Sequence, residues 1–313
     1  MVNRELIRIK IVQLTYAYYQ NGNKNIDTAE KELFFSLSKA YDLYNHLLAL
    51  IVAVTREAAR RLEVLRAKAK REGTADPPSK LAFNRFALQL ESNKQLCEFM
   101  ETQKYPWSDV PEFVGKLLDM IEQSQIYKEY ISDPADDYAT DRELWRRLYR
   151  ALIQDNSDLE QLLEEQSLYW NDDKEVVDTF VLKTIKRFDE TAGAMQELLP
   201  EYDSEEEKDY ARKLFRATIM NADEYQRYMS EASYNWDFSR LAYMDIILMQ
   251  IAIAEMLTFP SIPLSVTINE YVDLAKVYST PRSSSYINGM LDGIARHLIR
   301  HGRLMKRLDD NKG

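Results

Sequence analysis

Arg296, Arg300, Arg303 and Arg307 follow one another at spacings of 4, 3 and 4, with Lys306 beside the last. On a continuous helix those intervals put four guanidinium groups in one stripe. A guanidinium is a planar, permanently charged fork that pairs bidentately with phosphate. The stripe therefore suits a phosphate contact, and equally a solvated helix end whose cations complement the C-terminal dipole. His297 and His301 form an adjacent row at the i,i+4 spacing of a metal-binding helix. They have no glutamate beside them in the sequence and sit among arginines that repel a dication, so no metal and no cofactor is expected. There is no Gly-rich phosphate loop, no serine nucleophile elbow and no Cys-x-x-Cys pair. Carboxylate pairs such as Glu164-Glu165 and Asp172-Asp173 follow from an acidic composition and carry no catalytic information. The chain does not read as an enzyme.

Those side chains need elements to hold them, and the composition says which. Among 313 residues there are 8 Gly and 9 Pro, with Leu, Ala, Glu, Lys and Arg plentiful, a mixture for long helices with few tight turns. Twenty Tyr and four Trp can anchor a large core. The net charge of −10 argues against general nucleic-acid binding. Its distribution is uneven. Residues 155–209 hold 18 acidic and 5 basic side chains, residues 56–85 hold 9 basic and 4 acidic, and residues 291–313 hold 6 basic and 3 acidic. Cys97 is the single cysteine, so no intrachain disulfide can form, which fits a reducing compartment. The N-terminus has no apolar signal region, and the longest apolar stretch, Leu47 to Val54, is too short to span a bilayer. A cytoplasmic protein that avoids membranes is expected.

Apolar residues recur at helical spacing almost throughout and no run alternates with period two, so the fold class is all-α. A first helix spans about Arg4 to Gln20 and ends at Asn21-Gly22-Asn23. Asp27 or Thr28 can cap a much longer second helix, whose stripe from Leu33 through Tyr44, Ile51 and Leu62 reaches about Arg71. Gly73 to Ser79, with Pro77-Pro78, is the clearest linker. Arg147-Leu148-Tyr149-Arg150-Ala151 returns as Lys213-Leu214-Phe215-Arg216-Ala217, and Trp170 returns as Trp236 at the same offset. This pattern arises from a duplicated helical unit or from two helices that converged.

A longer pattern lies downstream: Asn235-Trp236-Asp237, then Asp245 through Glu255, then Val266 to Lys276, then Tyr286-Ile287-Asn288-Gly289-Met290-Leu291-Asp292. In order and spacing it resembles the C-terminal bundle of the bacterial NusB transcription antitermination family. Arg8, Val12-Gln13 and Tyr16 resemble that family's first helix. The resemblance implies a two-bundle helical core interrupted by a long helical insertion. Residues 1–40 would form the first part of the core, 41–202 the insertion, 203–300 the C-terminal bundle and 301–313 a basic tail. Gly289 is expected where two helices approach closely, with Met290, Leu291 and Ile294 packing inward.

The resemblance also implies a function, the binding of single-stranded boxA-like RNA together with the ribosomal protein NusE, and through it the transcribing RNA polymerase, during ribosomal RNA transcription. It assigns Arg4, Arg8 and Lys10 to RNA, with Arg296, Arg300 and Arg303 extending that face. Arg282 and Tyr286 fall on the protein-partner surface. Several family positions have changed: Glu5 and Leu6 replace basic neighbours, Ser265 and Ser285 stand where lysine is common, and Arg282 replaces an acidic residue. A competing reading is a scaffold that keeps the protein partner with little RNA affinity of its own.

Overall fold

A computed structural model describes residues 1–22, 25–232 and 242–306. Trp236 and Arg307 lie outside the described residues. Fourteen α-helices account for most of the described chain: α1 (Arg4–Gln20), α2 (Ile26–Glu72), α3 (Arg85–Glu91), α4 (Lys94–Thr102), α5 (Pro111–Gln123), α6 (Gln125–Ser132), α7 (Tyr138–Leu148), α8 (Ser157–Gln166), α9 (Lys174–Arg187), α10 (Glu205–Met220), α11 (Ala222–Ala232), α12 (Tyr243–Thr258), α13 (Leu264–Tyr278) and α14 (Ser283–Arg300). The only β pairing among the described residues is an isolated bridge between Val2 and Tyr202. The chain is all-α, as its periodicity requires.

Helix ends are set by side chains that satisfy orphaned backbone N–H groups. Asn3 accepts from Leu6 N at the start of α1. At α2 neither Asp27 nor Thr28 is the cap. Asn25 Oδ1 accepts from both their backbone N–H groups, at 2.9 and 3.0 Å. Ser204 and Glu207 form a reciprocal capping box on α10.

The chain divides into two compact units, Met1 with Ser38–Glu201, and Val2–Leu37 with Tyr202–Gly313. In the first, the core is built around Tyr44, Leu48 and Ile51 of α2 and Trp145, Tyr149, Val181 and Ile185 from later helices, all fully buried. The Tyr44 hydroxyl lies 2.6 Å from Thr184 Oγ1, and the Phe86 and Phe188 rings meet edge-on at 5.3 Å. His46 is sandwiched between Trp107 and Trp170, with ring centroids at 4.2 and 5.2 Å.

In the second unit, α12 is central. Its residues from Ile247 to Met256 are all buried, so it is covered on every side. Helices α1, α10, α11, α13 and α14 all pack on it, and α14 also packs on α11 and α13. Met290, Leu291 and Ile294 face inward as the spacing predicts. Gly289 does not: it is exposed with nothing within 4 Å of where a Cβ would stand, so no close helix approach depends on it.

Candidate RNA and partner-binding surfaces

Within α1, Arg4 and Arg8 part company despite their i,i+4 spacing. The helix is buried without interruption from Leu6 to Val12, because α10 and α12 both pack against it. Solvent reaches the first turn and, beyond Val12, positions such as Tyr16 and Gln20. Arg4 is exposed and its guanidinium lies 5.2 Å from the centre of the Tyr210 ring, a cation–π contact. Arg8 is 3% exposed and Lys10 1%. These two residues are interior, not on the open RNA face that the resemblance assigned to them. An i,i+4 pair shares its exposure only where a single face of the helix is covered, and α1 is covered on more than one.

Arg8 has a different task. Its Nε and Nη2 donate to the two oxygens of Glu255 at 2.9 and 3.0 Å, and Nη1 lies 3.0 Å from Glu270. Glu255 also accepts from Tyr210 (2.6 Å), Thr267 (2.8 Å) and Tyr271 (3.2 Å). One carboxylate on α12 thus ties α1, α10 and α13 together. Burial pushes the Glu255 carboxyl up. The hydrogen bonds and charge of Arg8, with donations by Tyr210 and Thr267, outweigh that and hold it below the usual carboxylate range. Burial likewise opposes the charge on Arg8, yet its bond to Glu255 leaves the guanidinium pKa raised. The site is a buried bidentate pair in which every member is satisfied.

The basic C-terminal stripe is also reorganised. Helix α14 stops at Arg300, and Gly302 adopts φ 65°, a left-handed conformation natural to glycine. Gly302 N donates to Ile299 O at 3.0 Å and Arg303 N to Leu298 O at 2.9 Å, the paired bonds of a Schellman cap. Arg296 and Arg300 remain on the helix and exposed, with Arg296 paired to Asp292 at 2.9 Å. Arg303 leaves the helical stripe. It pairs with Glu224 at 3.1 Å and donates to the Tyr228 hydroxyl at 2.8 Å. Lys306 turns inward: its Nζ is buried within the electrostatic reach of Glu255, and burial lowers its pKa. His297 gains an acidic neighbour that sequence proximity did not reveal, Glu231, 3.3 Å from Nε2. Among the described residues, no group of three or more His, Cys, Asp or Glu side chains could hold a metal ion.

The partner-surface residues are set by a second buried acid. Asp245, in the first turn of α12, accepts from the Ser283 hydroxyl at 3.0 Å and from Ser279, and Thr280 Oγ1 lies 2.7 Å from Ser283 Oγ. This clamp fixes the turn between α13 and α14. Arg282 stands exposed at the N-cap of α14, and Tyr286, one turn on, is half-buried. Burial raises the Tyr286 pKa, and the charge of Asp245 adds to the effect. Neither Asp245 nor Glu255 emerged as a site residue from spacing. Their signal was present nonetheless, as lone charges in an otherwise apolar helix.

A model of the NusB family matches residues 179–296, which include α10 to α13 and most of α14. The transcription antitermination protein NusB of Salinibacter ruber is 33% identical over 132 residues, spanning 40% of this chain and 82% of that protein. The NusB of Geotalea daltonii is 33% identical over 133 residues, 42% of this chain and 89% of that protein. The NusB of Chloroherpeton thalassium is 38% identical over 99 residues, 32% of this chain and 47% of that protein. No solved structure matches the chain. No helix among the described residues is long and apolar enough to cross a membrane.

Proposed function

The chain belongs to the NusB family, and from that premise we propose that it acts in transcription antitermination. In this reading it binds a single-stranded boxA-like RNA together with a NusE-type ribosomal protein during ribosomal RNA transcription. The family is one of transcription factors, and no catalytic role is assigned. The observation that carries the reading is the family match over residues 179–296, which contain Glu255 itself and the whole Asp245 clamp.

In this reading the RNA contacts are the exposed cations Arg4, Arg296, Arg300 and Arg303. Arg8 acts through position, holding α1 so that Arg4 sits at its exposed start. Arg282 and Tyr286 form the protein-partner contact, a charged residue beside a half-buried aromatic, the kind of pair that anchors an interface. Burial of Arg8 and Lys10 favours a second reading, a scaffold that binds the ribosomal protein with little RNA affinity of its own.

A filter-binding titration of boxA RNA, with and without the NusE-type protein, separates the two. Tight RNA binding by the pair, lost together with part of the salt slope when Arg4, Arg296 and Arg300 become Glu, supports the first. Protein binding without any RNA contribution supports the second.

A further inference from the structure

The C-terminal half of α2 carries seven cations, which fall into two groups. Arg56, Arg60 and Arg61 are all consumed by carboxylates: Arg56 by Glu91, Arg60 by Glu57, and Arg61 by Glu57 and Asp119. Beyond them Arg66, Lys68, Lys70 and Arg71 are exposed, and among the described residues none of the four forms an ion pair. The C-terminal helix dipole accounts for cations in the last turn, Lys70 and Arg71. It does not account for Arg66 and Lys68, which precede that turn.

An aromatic side chain stands among these charges. Phe83 is 54% exposed, and the Arg66 guanidinium lies 5.6 Å from its ring centre. Lys70 is one helical turn beyond Arg66 on the same side of α2. Phe83 also borders a recess of about 570 Å³ lined by Pro78, Lys80, Arg85, Asp133 and Asp136 among others. Asp133, Asp136 and Asp141 in its lining oppose phosphate there, so a strand would run its backbone along the α2 side and turn a base toward Phe83.

We propose that the exposed end of α2, with Arg66, Lys68, Lys70, Arg71 and Phe83, is a second binding surface for single-stranded RNA, separate from the family surface. Unpaired cations that track phosphates beside an exposed aromatic on which a base stacks are the two requirements for binding single strands without sequence preference. Charge complementarity selects a polyanion, and the aromatic selects a single strand over a duplex, whose bases are already stacked. The surface lies outside residues 179–296, so the family match does not supply it. Only the source of the RNA rests on the function proposed above.

The test uses the full chain and two RNAs, a short boxA-like oligonucleotide and the same oligonucleotide with a long unstructured extension. Wild type binds the extended RNA more tightly. Lys68→Gln, Lys70→Gln and Arg71→Gln together weaken that binding about tenfold and lower its salt slope by about 2, leaving the short RNA unaffected. Phe83→Ala weakens it about tenfold with the salt slope unchanged. Equal affinity of wild type for the two RNAs overturns the proposal, as does an unchanged affinity of both variants for the extended one. Failure of the boxA reading shows separately, as wild type that does not distinguish boxA from a scrambled short RNA.

Discussion

At the scale of single residues, Arg8 and Glu255 carry the most weight. A buried charge stripped of its partner costs about 3–5 kcal/mol, because the survivor remains in a medium that solvates it poorly. Arg8→Met strands the carboxylate, and Glu255→Gln leaves the guanidinium with only the partly exposed Glu270. Each single variant is expected to lose about 3 kcal/mol in denaturant unfolding. The double variant should lose clearly less than the sum, since it removes both charges at once. Additive losses would mean that the two side chains stabilise the fold independently. An arginine near the start of a basic-looking helix therefore serves packing, while Arg4, one turn away, keeps its charge in solvent.

At the scale of elements, the end of α14 decides which cations share a surface. Gly302→Ala places a Cβ in a left-handed conformation and is expected to cost about 1 kcal/mol, whereas Gly302→Asn costs less because Asn tolerates that region. Thermal unfolding of the two variants measures the difference, and equal midpoints would remove the cap from the account. This element also shows what the sequence made legible. Helix α1 spans Arg4–Gln20 as its pattern predicts, and α2 runs to Glu72 beside an expected end near Arg71, because hydrophobic period and linker prolines are local signals. The stripe from Arg296 to Arg303 is broken by Gly302, a glycine stop two residues past the periodic run. The burial of Arg8 and Lys10 was not legible. It depends on α10 and α12 closing over α1, a tertiary event with no imprint on local spacing. Asp245 and Glu255 lay between these cases, conspicuous as charges in an apolar helix but without any hint of their partners.

At the scale of the whole molecule, the two units have different acid sensitivities. His46 in the first unit is buried between Trp107 and Trp170, and burial pushes its pKa down from 6.5 to about 4. Its folded form resists a proton that the unfolded chain accepts. Its contribution is therefore fully present above pH 6.5 and falls away as the pH drops from 6.5 toward 4, by about 3 kcal/mol in all. Glu255 in the second unit is held below its ordinary 4.5, so its contribution is complete above pH 4.5 and declines only in more acid solution. Between pH 6.5 and 5, loss of stability should thus belong to the first unit. Urea unfolding followed by tryptophan fluorescence at pH 7 and pH 5 measures it. His46→Phe, which keeps an aromatic ring in the stack, should flatten that dependence, and a slope that survives would assign it to other groups.

The Glu255 hub has a consequence for how the protein is made. Arg8 and Glu255 are 247 residues apart in the chain. At a synthesis rate of about 5–20 residues per second, roughly 10 to 50 s separate their emergence from the ribosome. During that interval α1 is outside with Leu6, Ile7, Ile11 and Val12 uncovered and Arg8 unanswered, while the whole of residues 38–201 is made and can fold. Helix α1 is made before residues 38–201 and is expected to find its place after them. Stalled nascent chains that end before α12 should accordingly be cut by protease within α1, and chains extended past α13 should resist.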